Sequence, residues 1–147
     1  MADKVYTRGV HLILSGDLDW TTNTVKVLLV SASYTYAATH NFVSDVSAYE
    51  LSGTNYASGF SGSGRKTLAS KTATENDGST RAELDCADLT WSSINAGTIG
   101  GLVVYLNGTS DADSALIAFL DPTDVVTNGG DVVFTIATAG LITAASA

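Results

Sequence analysis

Residues 59–67 contain the residue types of a phosphate-binding loop, in which backbone N–H groups and a lysine surround the phosphates of a nucleotide. Such a loop needs its lysine directly after the last glycine and a helix that begins there, so that the N–H groups face the phosphates. Arg65 occupies the lysine position, and the residues after Thr67 favour a strand. We therefore interpret this stretch as a mobile, glycine-rich surface loop with two basic residues, Arg65 and Lys66.

His11, His40 and Asp45 are the residues from which a nucleophilic triad could be assembled with one of the many serines. Serine hydrolases with a nucleophile elbow place the serine on a strained turn within a Gly-x-Ser-x-Gly pattern. Residues 62–64 lack that spacing. The sequence therefore predicts that the protein is not an enzyme.

Pairs of acidic residues are the remaining chemical candidates, because calcium binds several carboxylate and carbonyl oxygens from one loop. Three pairs occur in the sequence: Asp17/Asp19, Asp85/Asp88 and Asp111/Asp113. None of them has the complete loop pattern of a calcium site. Aspartates in turns commonly accept hydrogen bonds from their own backbone, and we favour that interpretation. We expect no metal and no cofactor.

The charge balance excludes one large class of partners. Fifteen acidic and seven basic residues give a net charge of -8, which opposes the phosphate attraction that dominates nucleic-acid binding. Cys86 is the only cysteine, so no disulfide can form within the chain. The N-terminus lacks the pattern of a secretory signal, and the apolar runs are too short for a membrane span. We expect neither a nucleic-acid partner nor a membrane.

Short apolar runs bounded by turn residues fill the chain and predict an all-β fold in a single domain, residues 1–147. The expected strands are residues 24–30, 66–74, 81–86, 88–91, 102–106, 115–120 and 132–136, the last being the final strand. Residues 24–30 become apolar on both faces, as in a central strand that is covered on both sides. Residues 6–14 fit a strand or a short helix, and Asp77-Gly78 predicts a hairpin. The strand spacing indicates a β-sandwich, with a jelly roll favoured.

Residues 31–63 are less regular and rich in aromatic side chains. Eight candidates for contact with a partner lie in or directly after this segment: Tyr34, Tyr36, Phe42, Tyr49, Tyr56, Phe60, Arg65 and Lys66. Tyrosine provides a large contact area at low entropic cost, which suits an interface. The alternative is that these aromatic residues cover the ends of the sandwich, and both interpretations stay open on the sequence alone.

Several short motifs follow one another in a fixed order along nearly the whole chain. They are Asp17-Leu18-Asp19, Thr24-Val25-Lys26-Val27-Leu28-Leu29-Val30, Tyr34-Thr35, His40-Asn41-Phe42, Asp45-Val46, Glu50-Leu51-Ser52-Gly53-Thr54-Asn55-Tyr56, Leu68-Ala69-Ser70-Lys71-Thr72, Asp88-Leu89-Thr90-Trp91, Val103-Val104-Tyr105, Ser114-Ala115-Leu116-Ile117-Ala118 and Phe134-Thr135-Ile136. This order resembles a family of small virion proteins of tailed bacteriophages often found with the head genes. In size and strand pattern the chain is similar to jelly-roll decoration, or cement, proteins of the capsid surface.

The resemblance implies a structural virion protein that is made in the host cytoplasm and binds the outer surface of an assembled phage capsid. It would stabilise the shell by bridging capsid subunits, with no chemical step. The implied partner is the lattice of the major capsid protein. The implied state of the chain is a homo-oligomer, with a trimer favoured.

A second hypothesis is a carbohydrate-binding or receptor-binding β-sandwich module on a tail tip or fibre. Jelly rolls present sugars to exposed aromatic side chains beside acidic groups. Trp20 and Trp91 therefore discriminate between the hypotheses. If both side chains are buried, sugar binding loses its best platform.

Overall fold

The computed structural model describes the backbone of residues 2–146 and the side chains of residues 4–146. The strands are β1 (Ala2–Val5), β2 (Val25–Ser31), β3 (Lys66–Thr67), β4 (Thr72–Asn76), β5 (Arg81–Asp85), β6 (Leu89–Trp91), β7 (Thr98–Leu106), β8 (Ala115–Asp121), β9 (Val125–Val126), β10 (Val132–Phe134) and β11 (Ile142–Ala145). One α-helix, α1 (Thr7–Ser15), follows β1. The all-β prediction is confirmed. Among these residues, no helix has the length and apolar character needed to cross a membrane.

The largest sheet has the order β1-β8-β7-β2-β3, and β9 extends it by pairing with β7. Every pairing in it is antiparallel. A three-stranded sheet, β11-β5-β4, and a two-stranded sheet, β10-β6, complete the fold. The strands thus form sheets of six, three and two, so the jelly-roll arrangement is not confirmed.

Side chains from opposite faces of the largest sheet enter two separate cores, as expected for a central strand covered on both sides. On β2, Val25, Val27 and Leu29 enter the larger core, whereas Leu28 and Val30 enter the smaller one. The larger core also holds side chains of α1 and of the two smaller sheets. The smaller core is closed by the aromatic segment, residues 31–63. The prediction that β2 is central is therefore confirmed.

The choice left open for residues 6–14 is decided in favour of a helix. Leu12 of α1 is buried in the larger core, and Gly9 lies directly against β8. A Cβ at Gly9 would come within 2.2 Å of the carbonyl oxygen of Ile117, so only glycine permits this approach. Gly16 ends the helix with φ of 77°, the left-handed conformation that favours glycine at a helix C-terminus.

The hairpin predicted at Asp77-Gly78 is confirmed, with β4 and β5 on either side of a short 3-10 turn. The prediction that residues 132–136 form the final strand is wrong. β10 covers residues 132–134, and β11 follows it and pairs with β5. The β11 segment contains two alanines and a threonine and carries only one large apolar residue, Ile142, so its sequence gives no alternating pattern.

Candidate functional site

The aromatic segment, residues 31–63, is anchored to the largest sheet by its own buried side chains. Tyr34, Val43 and Val46 are buried in the smaller core. Two short 3-10 turns, Val43–Asp45 and Ser47–Tyr49, shape this part of the segment. The segment is therefore a fixed layer of the fold.

Tyr34 belongs to a buried chain of hydrogen bonds. Its hydroxyl oxygen lies 2.9 Å from that of Tyr6 and 3.1 Å from Nδ1 of His40. Burial, together with the hydrogen bond to Tyr34, raises the pKa of Tyr6, and burial also raises the pKa of Tyr34. Both hydroxyls are therefore neutral near pH 7, and they link β1's end to the aromatic segment.

Tyr36 and Phe42 are half-buried, and each ring lies beneath a cation. Lys4 Nζ is 5.1 Å from the centre of the Tyr36 ring, and Arg8 Cζ is 5.2 Å from the centre of the Phe42 ring. The Tyr36 hydroxyl donates to the backbone carbonyl of Val5 at 3.0 Å. Cation–π contacts of this kind hold the rings in place while part of each remains accessible.

Tyr49 is the most accessible of the predicted aromatic contacts, with 39% of its surface exposed. Its ring meets the ring of Tyr34 edge-on, with 5.3 Å between the ring centres. Because Tyr34 is itself fixed, Tyr49 projects from a rigid support. An exposed aromatic side chain with restricted motion loses little entropy on binding a partner.

Arg65 is enclosed by two carboxylates. Its Nε and Nη2 donate to Glu50 at 2.8 and 2.7 Å, and its Nη1 and Nη2 donate to Asp111 at 2.6 and 3.0 Å. The guanidinium also lies over the ring of Tyr105, at 5.7 Å from its centre. The interpretation of Arg65 as part of a mobile surface loop is wrong, because two bidentate ion pairs hold its buried guanidinium in place within the fold.

Tyr56 and the glycines around it complete this network. The Tyr56 hydroxyl accepts the backbone N–H of Leu29 at 2.8 Å and donates to Glu50 at 3.3 Å. The backbone N–H of Gly59 also donates to Glu50, at 3.0 Å. A Cβ at Gly64 would come within 2.6 Å of the Tyr56 ring, so the absence of a side chain at Gly64 permits close packing against Tyr56.

The eight predicted contact residues thus divide into two groups. Tyr34, Tyr56 and Arg65 are buried, and their polar atoms are used within the chain. The accessible group comprises Tyr36, Phe42, Tyr49, Phe60 and Lys66. A role in partner contact stays a prediction for the accessible group, and of the buried group Tyr34 packs directly against Tyr49.

Trp20 and Trp91 are both buried in the larger core. The indole N–H of Trp20 donates to the Asp85 carbonyl at 2.9 Å, and that of Trp91 donates to the Gly64 carbonyl at 2.7 Å. Neither ring offers the exposed face on which a sugar would stack.

The residues considered for acid–base chemistry have structural partners. The carboxylate of Asp45 accepts the backbone N–H groups of Asn41 and Phe42 at 2.8 and 3.1 Å, which lower its pKa. His40 faces the Tyr34 hydroxyl through Nδ1. His11 lies exposed on α1. Asp45 therefore orders the turn that follows His40.

Two of the candidate calcium ligands, Asp19 and Asp113, accept hydrogen bonds from residues of the turns in which they lie. Asp19 accepts hydrogen bonds from Thr21 and Thr22, which lower its pKa. Asp113 accepts hydrogen bonds from both the side chain and the backbone of Thr109 and of Ser110, which lower its pKa. Within the described part of the chain, no three His, Cys, Asp or Glu side chains are grouped as metal ligands would be.

One surface was not predicted from the sequence. Val10, Ile13 and Leu14 of α1 are exposed, and Leu14 exposes 81% of its surface. Their spacing of three and four residues places them on one side of the helix. The same spacing is visible in the sequence, but it indicates an exposed stripe only once residues 6–14 are known to be helical.

No protein-family model, no curated protein and no solved structure matches this chain.

Proposed function

We propose that this protein is a structural virion component that binds the outer surface of an assembled phage capsid. It stabilises the shell by bridging neighbouring capsid subunits, and no chemical step is involved. The proposal rests on the sequence resemblance, which extends over nearly the whole chain. The partner is the lattice of the major capsid protein, to which the chain binds as a homo-oligomer, with three copies favoured.

The structural observation that supports the proposal is the buried network that anchors the aromatic segment, residues 31–63. Arg65, Glu50 and Asp111 join the aromatic segment to the loop between β7 and β8 through four hydrogen bonds. Tyr49 directly precedes Glu50 of this network in the chain, and its ring packs edge-on against Tyr34. A protein that binds many equivalent sites benefits from such preorganisation, because little order has to be created at each site.

The buried positions of Trp20 and Trp91 favour this proposal over the sugar-binding alternative. Both indole N–H groups donate to backbone carbonyls inside the fold. A tail-tip or fibre module would need another aromatic platform. Tyr49 is an accessible tyrosine on which a sugar could stack. The test below therefore also compares binding to host glycans.

Binding to the assembled shell stabilises it by mass action. A ligand that binds only the assembled state, at one hundred to one thousand times its Kd, adds about 3 to 4 kcal/mol for each site. Because the chain carries a net charge of -8, basic patches on the shell are the expected docking surface. Moderate salt should therefore slow association.

The test is uptake of the purified protein by capsids that lack it. The wild-type chain should bind in a fixed ratio to capsid subunits, and Tyr49→Ala should bind more weakly. Val126→Ala is the matched control, because Val126 is also exposed but lies on β9. Failure of the wild-type chain to bind capsids while it decorates tails or host glycans would replace this proposal with the receptor-module alternative.

A further inference from the structure

One edge of the three-stranded sheet is free. Within residues 2–146, β11 pairs only with β5, at registers that include Ile142 with Leu84 and Ala144 with Ala82. The same register continues at Ser146, whose N–H donates to the carbonyl of Thr80 at 2.8 Å. Hydrogen bonding alternates along an antiparallel strand, so residues 142 and 144 bond to β5. The backbone groups of Thr143 and Ala145 therefore point away from the sheet.

β11 itself carries none of the residues that usually prevent an edge strand from pairing with another chain. Exposed edge strands are normally blocked by charged residues, by proline or by being very short. The free edges of β1, β3 and β4 each include a charged residue, namely Lys4, Lys66 and Glu75. The uncharged strands β6, β9 and β10 are only two or three residues long, whereas β11 has four. In contrast, residues 132–147 contain no charged residue and no proline. Because β11 itself is uncharged, a second copy of the strand meets no like charge at the seam although the chain carries a net charge of -8.

The exposed apolar stripe of α1 lies beside the same edge. Ile142 and Ala144 of β11 line a groove together with Val10, Ile13 and Leu14. Any strand that pairs with β11 therefore approaches apolar side chains that are otherwise exposed. Covering them adds hydrophobic stabilisation to the backbone hydrogen bonds.

We infer that two copies of this chain pair through β11, edge to edge and antiparallel, about a two-fold axis. Thr143 of each copy faces Ala145 of the other, which gives four backbone hydrogen bonds between the copies. Ala144 then lies on the axis, opposite Ala144 of the second copy. The paired strands form one continuous six-stranded sheet, and both α1 stripes lie on the same side of it.

A second copy fits this edge better than an unrelated strand does. The pairing is self-complementary: the strand is uncharged, and small side chains meet at the axis. The contact is two-fold and independent of the three-fold association proposed above. It therefore goes beyond the proposed function and can be tested on the free protein. On a capsid lattice, this two-fold contact between β11 strands would join copies bound at neighbouring sites.

The test measures the mass of the free protein over a range of concentrations, by light scattering or sedimentation. The three-fold association of the proposed function belongs to the capsid-bound state, so the free wild-type chain should approach twice its 15.1 kDa as concentration rises. Ala144→Lys places like charges directly opposite each other and should raise the dissociation constant up to about fivefold. Ala82→Lys is the matched control, because Ala82 is an exposed alanine in the same row but on β5. It should leave the dissociation constant nearly unchanged.

An equal mixture of Ala144→Lys and Ala144→Glu chains should restore pairing, because the axis then holds opposite charges. Circular dichroism of each variant confirms that it is folded. Three results would overturn the inference: a wild-type mass that stays at one chain, equal effects of Ala144→Lys and Ala82→Lys, or no recovery in the mixture. A trimer held together by a heterologous interface would show no recovery of pairing in the mixture. The mixture therefore distinguishes a two-fold contact between β11 strands from a heterologous contact.

Discussion

Arg65 and Glu50 form a buried bidentate ion pair, with hydrogen bonds of 2.8 and 2.7 Å and side chains that are each 1% exposed. Asp111 accepts two more hydrogen bonds from the same guanidinium. The three side chains come from three separate parts of the chain. Their network fixes the aromatic segment and the β7–β8 loop relative to the largest sheet.

We expect Arg65→Met to destabilise the protein severely, because it leaves the Glu50 carboxylate buried without its partner. Breaking a buried pair in this way typically costs about 3 to 5 kcal/mol. Arg81→Met is the control, since the Arg81–Glu83 pair is more exposed, at 30% and 11% for the two side chains, and should contribute less than the Arg65 network. Urea unfolding measures both changes. Similar losses in the two variants would contradict a central role for the Arg65 network.

Tyr56→Phe should destabilise the fold although it removes a single oxygen atom. The Tyr56 hydroxyl accepts the N–H of Leu29 in the middle of β2, and its loss leaves that N–H buried without an acceptor. The expected decrease in the free energy of unfolding is about 1 to 3 kcal/mol. Tyr49→Phe, at an exposed ring, should change it by less than about 0.5 kcal/mol. A neutral Tyr56→Phe variant would contradict this assignment.

The protein should lose stability in alkaline solution because buried tyrosines resist ionisation. Burial raises the pKa of Tyr6 above its ordinary value near 10, so the folded state retains this proton when the unfolded state releases it. The contribution of Tyr6 to the free energy of unfolding is complete below about pH 10. Above that pH it is lost by about 1.4 kcal/mol per pH unit for one tyrosine. Unfolding measured between about pH 9 and 11 tests this. Tyr6→Phe should reduce the slope of the free energy of unfolding against pH. An unchanged slope would contradict the assignment to Tyr6.

Cys86 should react slowly with thiol reagents in the folded protein. Burial raises the pKa of its thiol to about 11, and the carboxylates of Asp85 and Asp88 act in the same direction. Little thiolate is therefore present near pH 8, and the sulfur is also covered. Labelling in buffer should be much slower than labelling in urea. Equal rates in the two solutions would place the thiol at the surface.

The sequence predicted the strands that bury alternating or continuous apolar side chains, including β2, β7 and β8, because burial leaves a visible pattern. It missed β11, whose alanines and threonine derive their strand structure from pairing with β5. Propensity in a strand depends on its neighbours, and neighbours distant in sequence are not visible in one chain.

The sequence identified the candidate contact residues by their type, but it did not predict which of them are buried. Arg65 lies in a glycine-rich stretch that indicates a mobile loop, but Glu50 and Asp111 enclose it from positions 15 residues earlier and 46 residues later. Neither acidic residue has a local pattern that marks it as a partner of Arg65. Tyr34 and Tyr49 look equivalent in the sequence, yet only Tyr49 is exposed.

The most direct test of the proposed function is the temperature at which capsids lacking this protein release their genome, with and without the purified chain. Saturating protein should raise that temperature and bind in a fixed ratio to capsid subunits, since binding restricted to the assembled shell stabilises it. Tyr49→Ala should give a smaller rise at the same concentration. An unchanged release temperature at full occupancy, or no binding at all, would contradict the proposal that the protein stabilises a capsid.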